Sequence, residues 1–584
     1  MCFSVVSVVL LLFILWMLVV KFRRQSHRRT DGVAKENNKP EAVFPKLLHS
    51  LYKLFFSTVS PTISGPRSLP LLGNMLDLAQ DHLPIHLTAL AKCYGNIYRL
   101  NCGSTTMVVL NNSEIIREAL VKKWSDFAGR PHSYTGISNW HIFFKNVYII
   151  YVYIIISVSC SLILGDIVSR GGRTISLGDF SEEWKAHRRV THSALQRCTT
   201  DSLHSVIEKQ AQHLCQVLRD YSGKAVDLSE DFTVASSNVI TTLTFSKAYD
   251  KSSAELQKLQ ECLNEIVSLW GSPWISALDS FPLLRVTCLI LCSIDNHFDP
   301  YIVDVFYLYS LKNNNSLQKF PNPPFSRLMK EVARRDELIG KHIEEFKKSE
   351  HKEGGTLTSS LLKCLEPQQG AANHTTLTDT HVHMTTVDLL IGGTETIAAL
   401  LNWTVAFLLH RPEVQDKVYE ELCCMLDVRH PQYSDRHKLP YLCALISEML
   451  RLRPVAPLAV PHRAIRNSSI AGHFIPKNTI IIPNLYGAHH DPEVWDDPYS
   501  FKPERFLEGG GGSLRSLIPF GGGARLCLGE AVAKMEMFLF TAYLLREFKF
   551  LPASKEEPLP ELRGVASVVL KVKPYTVIAH PREQ

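Results

Sequence analysis

A short stretch near the carboxyl end of the chain concentrates residues that could hold a metal through sulfur. In PFGGGARLCLGE, residues 519–530, three glycines and Arg525 precede Cys527, and an apolar helical pattern follows. A thiolate that binds haem iron needs backbone N–H groups aimed at its sulfur, and glycines let the backbone pass close to the flat macrocycle. The N-terminus of the following helix would favour the thiolate, and the arginine could pair with an acidic group of the cofactor. The alternative is a glycine-rich turn followed by an inert buried cysteine.

A second stretch places an acid and an alcohol beside two glycines on an apolar helical pattern. VDLLIGGTETIAALLNWTVAFLL contains Gly392 and Gly393, followed by Glu395 and Thr396. A glycine inside a helix costs about 1 kcal/mol relative to alanine, so the pair needs a reason. One reason is room for dioxygen beside the helix, with the acid and the alcohol delivering protons. The alternative is close helix packing at the glycines, with the threonine bonded to its own backbone.

Further charged residues occur in short motifs elsewhere. ISEMLRLRP places Glu448 and Arg451 three residues apart, and therefore on one helical face, and KPERF adds Arg505. A surface ion pair is the alternative for these residues. Three more motifs contain candidate residues: EEWKAHRR has Trp184 and Arg188, DFAGRP has Arg130, and PLAVPHR has His462. The alternatives are solvated surface charges for the arginines and a hydrogen-bonded core side chain for the histidine.

Together these motifs resemble the signatures of the cytochrome P-450 family of haem-thiolate monooxygenases. The resemblance covers residues 61–584 apart from two segments described below, and it implies a mainly helical α+β fold around a buried haem b, with Cys527 as the axial ligand of the iron. It implies proton delivery by Glu395 and Thr396. It also implies a set of haem contacts: Phe520, Gly521, Gly523, Gly529, Arg525, Arg130, Arg188, Trp184 and His462. The network of Glu448, Arg451 and Arg505 would be structural.

Within the family, LVKKWSDFAGRP, HVHMTTVDLLIGGTET and LRLRPVAPLAVPHR resemble the steroid 21-hydroxylase subfamily. This resemblance implies hydroxylation of C21 of progesterone and 17α-hydroxyprogesterone with O2. Arg285 would bind the steroid 3-keto oxygen, and an apolar slot would be lined by Val455, Leu458 and Asp388. A 17α-hydroxylase/17,20-lyase on the same fold and a catalytically silent haem- or steroid-binding protein are the alternatives.

The resemblance also implies an electron donor. NADPH would supply electrons through the membrane-bound NADPH–cytochrome P-450 reductase, for which Lys185, Arg189 and Lys534 are candidate docking residues. Gly522 and Ile397 depart from the subfamily pattern, the latter at a position where a second hydroxyl residue is usual.

The elements that must position these residues are mainly helical by pattern, with short strands at GNIYRL, TTMVVLN, NTIIIPN and VASVVLKV. With 45% hydrophobic and 21% charged residues among 584, the chain is globular rather than disordered. A net charge of +6 is too weak and dispersed to favour nucleic acid. The 14 cysteines show no paired zinc spacing, which favours a reducing compartment.

The amino-terminal segment predicts a membrane anchor. Residues 2–20 are uncharged and apolar over about the length that crosses a bilayer, and the basic residues follow this run. We therefore expect residues 1–20 to form a single anchor in the endoplasmic reticulum membrane, residues 21–60 to form a linker on the membrane surface, and the remainder to face the cytosol.

Two irregular apolar segments, 137–165 and 286–319, have no counterpart in the family resemblance. The first is long enough to cross a membrane, but a crossing would separate Arg130 from Arg188, which should meet one haem. We interpret both segments as translated intron sequence. Transcripts that contain them in full would contradict this interpretation.

Overall fold

The protein is mainly helical, and its helices occur along the whole described part of the chain. The computed structural model describes residues 63–69, 73–102, 105–131, 168–201, 203–270, 323–348, 356–365, 377–507, 511–554, 556 and 558–582. The α-helices are α1 (Met75–Leu78), α2 (Leu83–Tyr94), α3 (Ser113–Arg117), α4 (Trp124–Phe127), α5 (Glu182–Asp201), α6 (Leu203–Asp220), α7 (Ser229–Phe245), α8 (Ala254–Trp270), α9 (Pro323–Lys348), α10 (Leu357–Lys363), α11 (Asp379–His410), α12 (Pro412–Leu426), α13 (Pro440–Leu452), α14 (Leu485–His489), α15 (Gly511–Ser516) and α16 (Glu530–Glu547). A π-helical turn, Glu118–Lys122, joins α3 to α4, and short 3-10 helices are Tyr433–His437, Pro503–Phe506 and Gly523–Arg525.

The strands form four small sheets. They are β1 (Ile97–Cys102), β2 (Thr105–Leu110), β3 (Ala225–Val226), β4 (His462–Arg463), β5 (Ser468–Ile470), β6 (His473–Ile475), β7 (Ile480–Pro483), β8 (Phe548–Pro552), β9 (Val565–Ala566), β10 (Leu570–Lys571) and β11 (Val577–Pro581). The sheet orders are β1-β2-β7-β4, β3-β11-β8, β5-β6 and β9-β10. In the largest sheet β2 pairs with β7 in parallel, and the other pairs are antiparallel.

The 32-residue helix α11 runs through the core. It begins where the Thr378 N–H donates to His381 Nδ1 at 3.1 Å, and it ends at Arg411, because Pro412 opens the next helix. The helix is long and apolar enough to cross a membrane, but most of its apolar window is buried inside the protein. We therefore assign it as a core helix, which is apolar on every side because neighbours surround it.

The main core lies between α11, α16 and α6. Trp403 of α11 is fully buried and donates from Nε1 to Leu570 O at 2.9 Å, which fastens β10 to the helix. Phe540 of α16 is also fully buried in the same cluster. A smaller cluster lies under the four-stranded sheet and includes Leu120 and Ile518, which flank the cysteine loop.

The prediction of a mainly helical body with small sheets is confirmed. The first three predicted strands are β1, β2 and β7. The fourth, VASVVLKV, is a hairpin instead, because residues 567–569 turn between β9 and β10. The anchor at 1–20, the linker at 21–60 and the segments 137–165 and 286–319 lie outside the described residues, so these remain predictions.

Candidate active site

The cysteine loop is held in place by its own backbone and by the helical turn beside it. Cys527 N–H donates to Phe520 O at 3.0 Å, which closes the loop. Gly523 has a φ of 65°, and a Cβ there would lie 1.7 Å from Leu120 O, so no other residue fits this close approach. Gly521 and Gly529 differ from Gly523, because a Cβ at either position would meet nothing within 4 Å.

Cys527 is exposed, although many protein atoms surround its thiol. Burial raises the pKa of the Cys527 thiol, while a hydrogen bond from the Gly529 N–H and the charge of Arg188 act in the opposite direction. An accessible sulfur surrounded by protein is what a ligand cavity requires. Because burial disfavours the charged thiolate, a bound cation such as iron would stabilise it.

Two buried arginines and one half-buried arginine gather beside this loop. Arg525 donates to three backbone carbonyls, Ala128 O at 2.9 Å, Ile175 O at 3.1 Å and Gly178 O at 2.7 Å. Its guanidinium stacks 3.8 Å from the ring centroid of Trp184, whose Nε1 donates to Ile175 O at 3.0 Å. The arginine is therefore fixed by groups that carry no negative charge.

Arg130 and Arg188 complete this group. Arg130 donates to the carbonyls of Ser176, Val460 and Pro461 at 2.8–2.9 Å. Arg188 Nη2 donates to Leu526 O in the cysteine loop. We call Arg130, Arg188 and Arg525 the cation cluster.

Asp179 lies near the cation cluster and favours the charged forms of Arg130 and Arg525, and Asp388 does the same for Arg130. Among the described residues, none of its three members forms an ion pair with a carboxylate. Burial lowers the pKa of Arg130 to about 9 and that of Arg525 to about 8, and the neighbouring arginines add to both effects. Three cations whose side chains are held by neutral backbone carbonyls are suited to an anionic ligand with carboxylate groups.

His462 lies beside the cluster as a neutral side chain. Its Nδ1 donates to Phe127 O at 2.8 Å, and burial, followed by the charge of Arg130, lowers the pKa of His462 well below its usual value. With Nδ1 already donating, the neutral ring has no second N–H to offer. It must take up a proton before it can donate to a carboxylate as well.

One face of α11 is turned to the same region. Asp388, Gly392 and Thr396 are spaced by four residues and so share a helical face. Asp388 contacts the 175–176 backbone that holds Arg525. A Cβ on Gly392 would meet nothing within 4 Å, although the helix is otherwise largely buried.

The acid and the alcohol on α11 both have partners of their own. The Thr396 hydroxyl donates to Gly392 O at 2.6 Å, and the Glu395 carboxylate forms an ion pair with Lys571 Nζ. Gly393 packs against α7, where its Cβ would lie 2.5 Å from Ile240 Cδ1. The two glycines therefore have different roles in packing: Gly392 faces open space, and Gly393 lets α7 approach α11 closely.

The three residues of the predicted structural network are joined. Arg451 binds Glu448 through Nε and Nη2 at 2.7 and 2.8 Å, and both side chains are 0% exposed. Arg505 Nε lies 3.1 Å from a Glu448 oxygen. Arg451 also donates to His489 O at 2.8 Å, and His489 Nε2 accepts from Ile518 N at 3.0 Å. The network thus connects through one histidine to the start of the cysteine loop.

The four predicted steroid contacts have different surroundings. Val455 and Leu458 are half-buried on the segment after α13. The Asp388 carboxylate accepts from the Ile175 N–H and from the Ser176 hydroxyl. Arg285 lies outside the described residues. Of the candidate docking residues, Lys185 and Lys534 pair with acids on their own helices at 2.7 Å, and Arg189 is exposed.

Sequence reasoning missed the backbone acceptors and their supports. The carbonyls of Ile175, Ser176 and Gly178 hold the cation cluster, but a carbonyl leaves no signal in a sequence. Asp179 accepts from the Arg130 N–H at 2.9 Å and pairs with Arg463 at 2.9 Å. The only sequence feature that could have drawn attention to Asp179 is its position directly after Gly178.

Comparison with known proteins shows which family the chain belongs to. The cytochrome P-450 family model matches residues 63–146, 167–292 and 293–579, so the chain belongs to the cytochrome P-450 family. Human steroid 21-hydroxylase is 38% identical over 526 residues, covering 88% of this chain and 92% of the human protein. The bovine steroid 21-hydroxylase is 36% identical over 520 residues, covering 88% and 91%. A solved structure of a zebra fish cytochrome P-450 with progesterone has a TM-score of 0.67 and 32% identity, covering 85% of this chain and 99% of that chain.

The family implies a haem held by a cysteine thiolate, and the described residues fit that cofactor. Cys527 is exposed, the positions of Gly392 and Gly529 leave open space, and the side chains of the cation cluster are held by neutral backbone carbonyls. A haem would supply a cation for the sulfur, a flat body for the open space and two propionates for the arginines.

Proposed function

We propose that the chain is a steroid 21-monooxygenase that hydroxylates C21 of progesterone and 17α-hydroxyprogesterone. The cation cluster beside an accessible thiol supports the haem-thiolate part of the proposal. The similarity to mammalian steroid 21-hydroxylases over 88% of the chain supports the steroid part. The zebra fish structure with progesterone is consistent with a steroid-sized substrate on this fold.

Haem bound at this site would supply the activation of O2 with electrons from NADPH. Cys527 would ligate the iron, and Arg130, Arg188 and Arg525 would bind the propionates. Phe520, Gly521, Gly523 and Trp184 shape the loop and the arginine beside the cofactor. His462 would join the propionate contacts when protonated.

The chain's own residues would also control protons. The Thr396 hydroxyl now donates to Gly392 O, and rotation about its Cβ–Oγ bond would let it donate toward the open space instead. Glu395 would have to exchange Lys571 for another partner before it could pass a proton to Thr396. These two residues are the proposed route by which solvent protons reach the reacting oxygen.

The substrate would lie against the open face of α11. Val455 and Leu458 offer apolar surface for a steroid, and Arg285 is the proposed donor to the 3-keto oxygen. The steroid ring system has few polar groups, so one placed donor and apolar walls would decide its orientation. Electrons would come from the membrane-bound NADPH–cytochrome P-450 reductase, with the chain anchored in the endoplasmic reticulum membrane by residues 1–20.

The test uses the full chain, expressed in membranes with the reductase and supplied with NADPH and progesterone. We expect 11-deoxycorticosterone as the product and a thiolate-type absorption band in the reduced carbon monoxide complex. 17α-Hydroxyprogesterone as the product would favour the 17α-hydroxylase. A thiolate band without turnover would favour a silent binding protein, and deletion of 137–165 and 286–319 would then show whether these segments block activity.

A further inference from the structure

The turn at residues 174–178 connects α11 to the cation cluster. It is closed by Gly178 N–H donating to Thr174 O at 3.0 Å and by Leu177 N–H donating to Thr174 Oγ1 at 3.1 Å. We call it the carbonyl turn, because its outward carbonyls accept from the arginines. Ile175 O and Gly178 O bind Arg525, and Ser176 O binds Arg130 Nε at 2.8 Å.

The other side of the carbonyl turn is held by one carboxylate. Asp388 Oδ2 accepts from Ile175 N at 2.6 Å and from Ser176 N at 3.3 Å, and Oδ1 accepts from Ser176 Oγ at 2.5 Å. These three hydrogen bonds join the turn directly to α11. The position of the turn relative to α11 therefore depends on this side chain.

The contacts on the two sides are linked through one peptide unit. The N–H of the Ile175–Ser176 peptide donates to Asp388, while its C=O accepts from Arg525 and from Trp184. Hydrogen bonds in such a chain polarise one another, so the carboxylate strengthens the carbonyl that faces the arginine. Asp388 also stabilises the charge of Arg130 across the turn, since it raises the pKa of that arginine against the effect of burial.

We propose that Asp388 is a positioning residue for the cation cluster, which fixes the carbonyl turn and thereby sets how tightly the cluster holds the propionates of haem. The inference rests on the proposed function for the identity of the anion. It differs from the prediction that Asp388 lines the steroid slot, because both carboxylate oxygens are engaged by the turn. A substitution here should act on cofactor retention and not on steroid affinity.

The first test measures haem release from the haem-loaded full chain to an excess of a haem-scavenging apo-globin. We expect Asp388→Ala to release haem faster by on the order of tenfold, the size expected when an outer partner of a cofactor ligand is removed. Asp388→Asn keeps an acceptor but loses the charge, so its effect should be smaller, and Ser176→Ala should also be smaller. Asp231→Asn removes another buried, hydrogen-bonded carboxylate and should leave the rate unchanged.

The second test does not require haem. Amide hydrogen exchange in the haem-free full chain should be faster across residues 174–178 in Asp388→Ala, and unchanged there in Asp231→Asn. Unchanged exchange in Asp388→Ala would overturn the proposal. Unchanged haem release with weaker progesterone binding would also overturn it, in favour of a steroid contact. If the unaltered chain binds no haem, the proposed function fails, and the exchange experiment still decides whether Asp388 holds the turn.

Discussion

At the scale of the residue, Cys527 is the group on which the proposed chemistry depends. Burial raises the pKa of its thiol, the Gly529 N–H and Arg188 oppose that effect, and the sulfur keeps an exposed surface. The motif around it was enough to predict a ligand. Sequence could not predict the acceptors of Arg525, because backbone carbonyls from three distant residues supply them.

We expect Cys527→Ser to abolish both the thiolate-type band of the reduced carbon monoxide complex and steroid hydroxylation. A serine hydroxyl is far less acidic than a thiol and cannot provide the same anionic ligand. Cys93→Ser removes an exposed cysteine and should leave the band and the turnover unchanged. A thiolate-type band that survives in Cys527→Ser would contradict the assignment.

At the scale of the element, the two adjacent glycines of α11 have different surroundings. Gly392 faces open space, and Gly393 lies against Ile240 of α7. The pattern allowed room for dioxygen or close helix packing, and each explanation fits one of the two positions. Only the packing of α7 on α11 distinguishes them.

We expect Gly392→Ala and Gly393→Ala to have opposite effects. Gly393→Ala places a methyl group 2.5 Å from Ile240 Cδ1 and should lower the free energy of unfolding by about 1–3 kcal/mol. Gly392→Ala should stabilise the helix by up to about 1 kcal/mol, but should lower the turnover rate by filling the open space beside α11 that we propose the reaction uses. Chemical denaturation and steady-state turnover measure the two effects. Full turnover in Gly392→Ala would show that this space is not used.

The network of Glu448, Arg451 and Arg505 joins α13 to the segment before the cysteine loop. We expect Glu448→Ala to lower the free energy of unfolding by about 3–5 kcal/mol, because it leaves Arg451 buried without its acid. Glu182→Ala removes an exposed partner of Lys185 and should cost about 1 kcal/mol or less. Denaturant titrations of both variants provide the comparison, and equal costs would contradict a buried structural role.

At the scale of the whole molecule, buried histidines with a lowered pKa make the free energy of unfolding depend on pH. Burial lowers the pKa of His187 and of His489 to about 3, and it lowers the pKa of His462 and His490 well below the usual value. In the unfolded chain each binds a proton near pH 6.5. As pH falls below this value, the unfolded state therefore takes up more protons than the folded state.

We expect the free energy of unfolding to fall between pH 7 and pH 5, by about 1.4 kcal/mol per pH unit for each such histidine once the pH is below 6.5. Asp388 acts in the opposite direction, since burial raises its pKa to about 6, and it offsets part of the effect. His187→Gln should reduce the slope by about one proton, whereas the exposed His437→Gln should not. Denaturation at a series of pH values measures the slope. Equal slopes in the two variants would contradict neutral burial of His187.

The sequence by itself determined the family and the helical class, and it predicted the ligand cysteine and most of the charged side chains of the proposed site, because these depend on residue types at fixed local spacings. Only the tertiary structure decided which partner each side chain meets. Asp388 binds the carbonyl turn, Glu395 binds Lys571, and Gly393 admits Ile240. The physical reason is that these partners are backbone groups or side chains brought together by packing of distant elements, and no local pattern in the chain records such contacts.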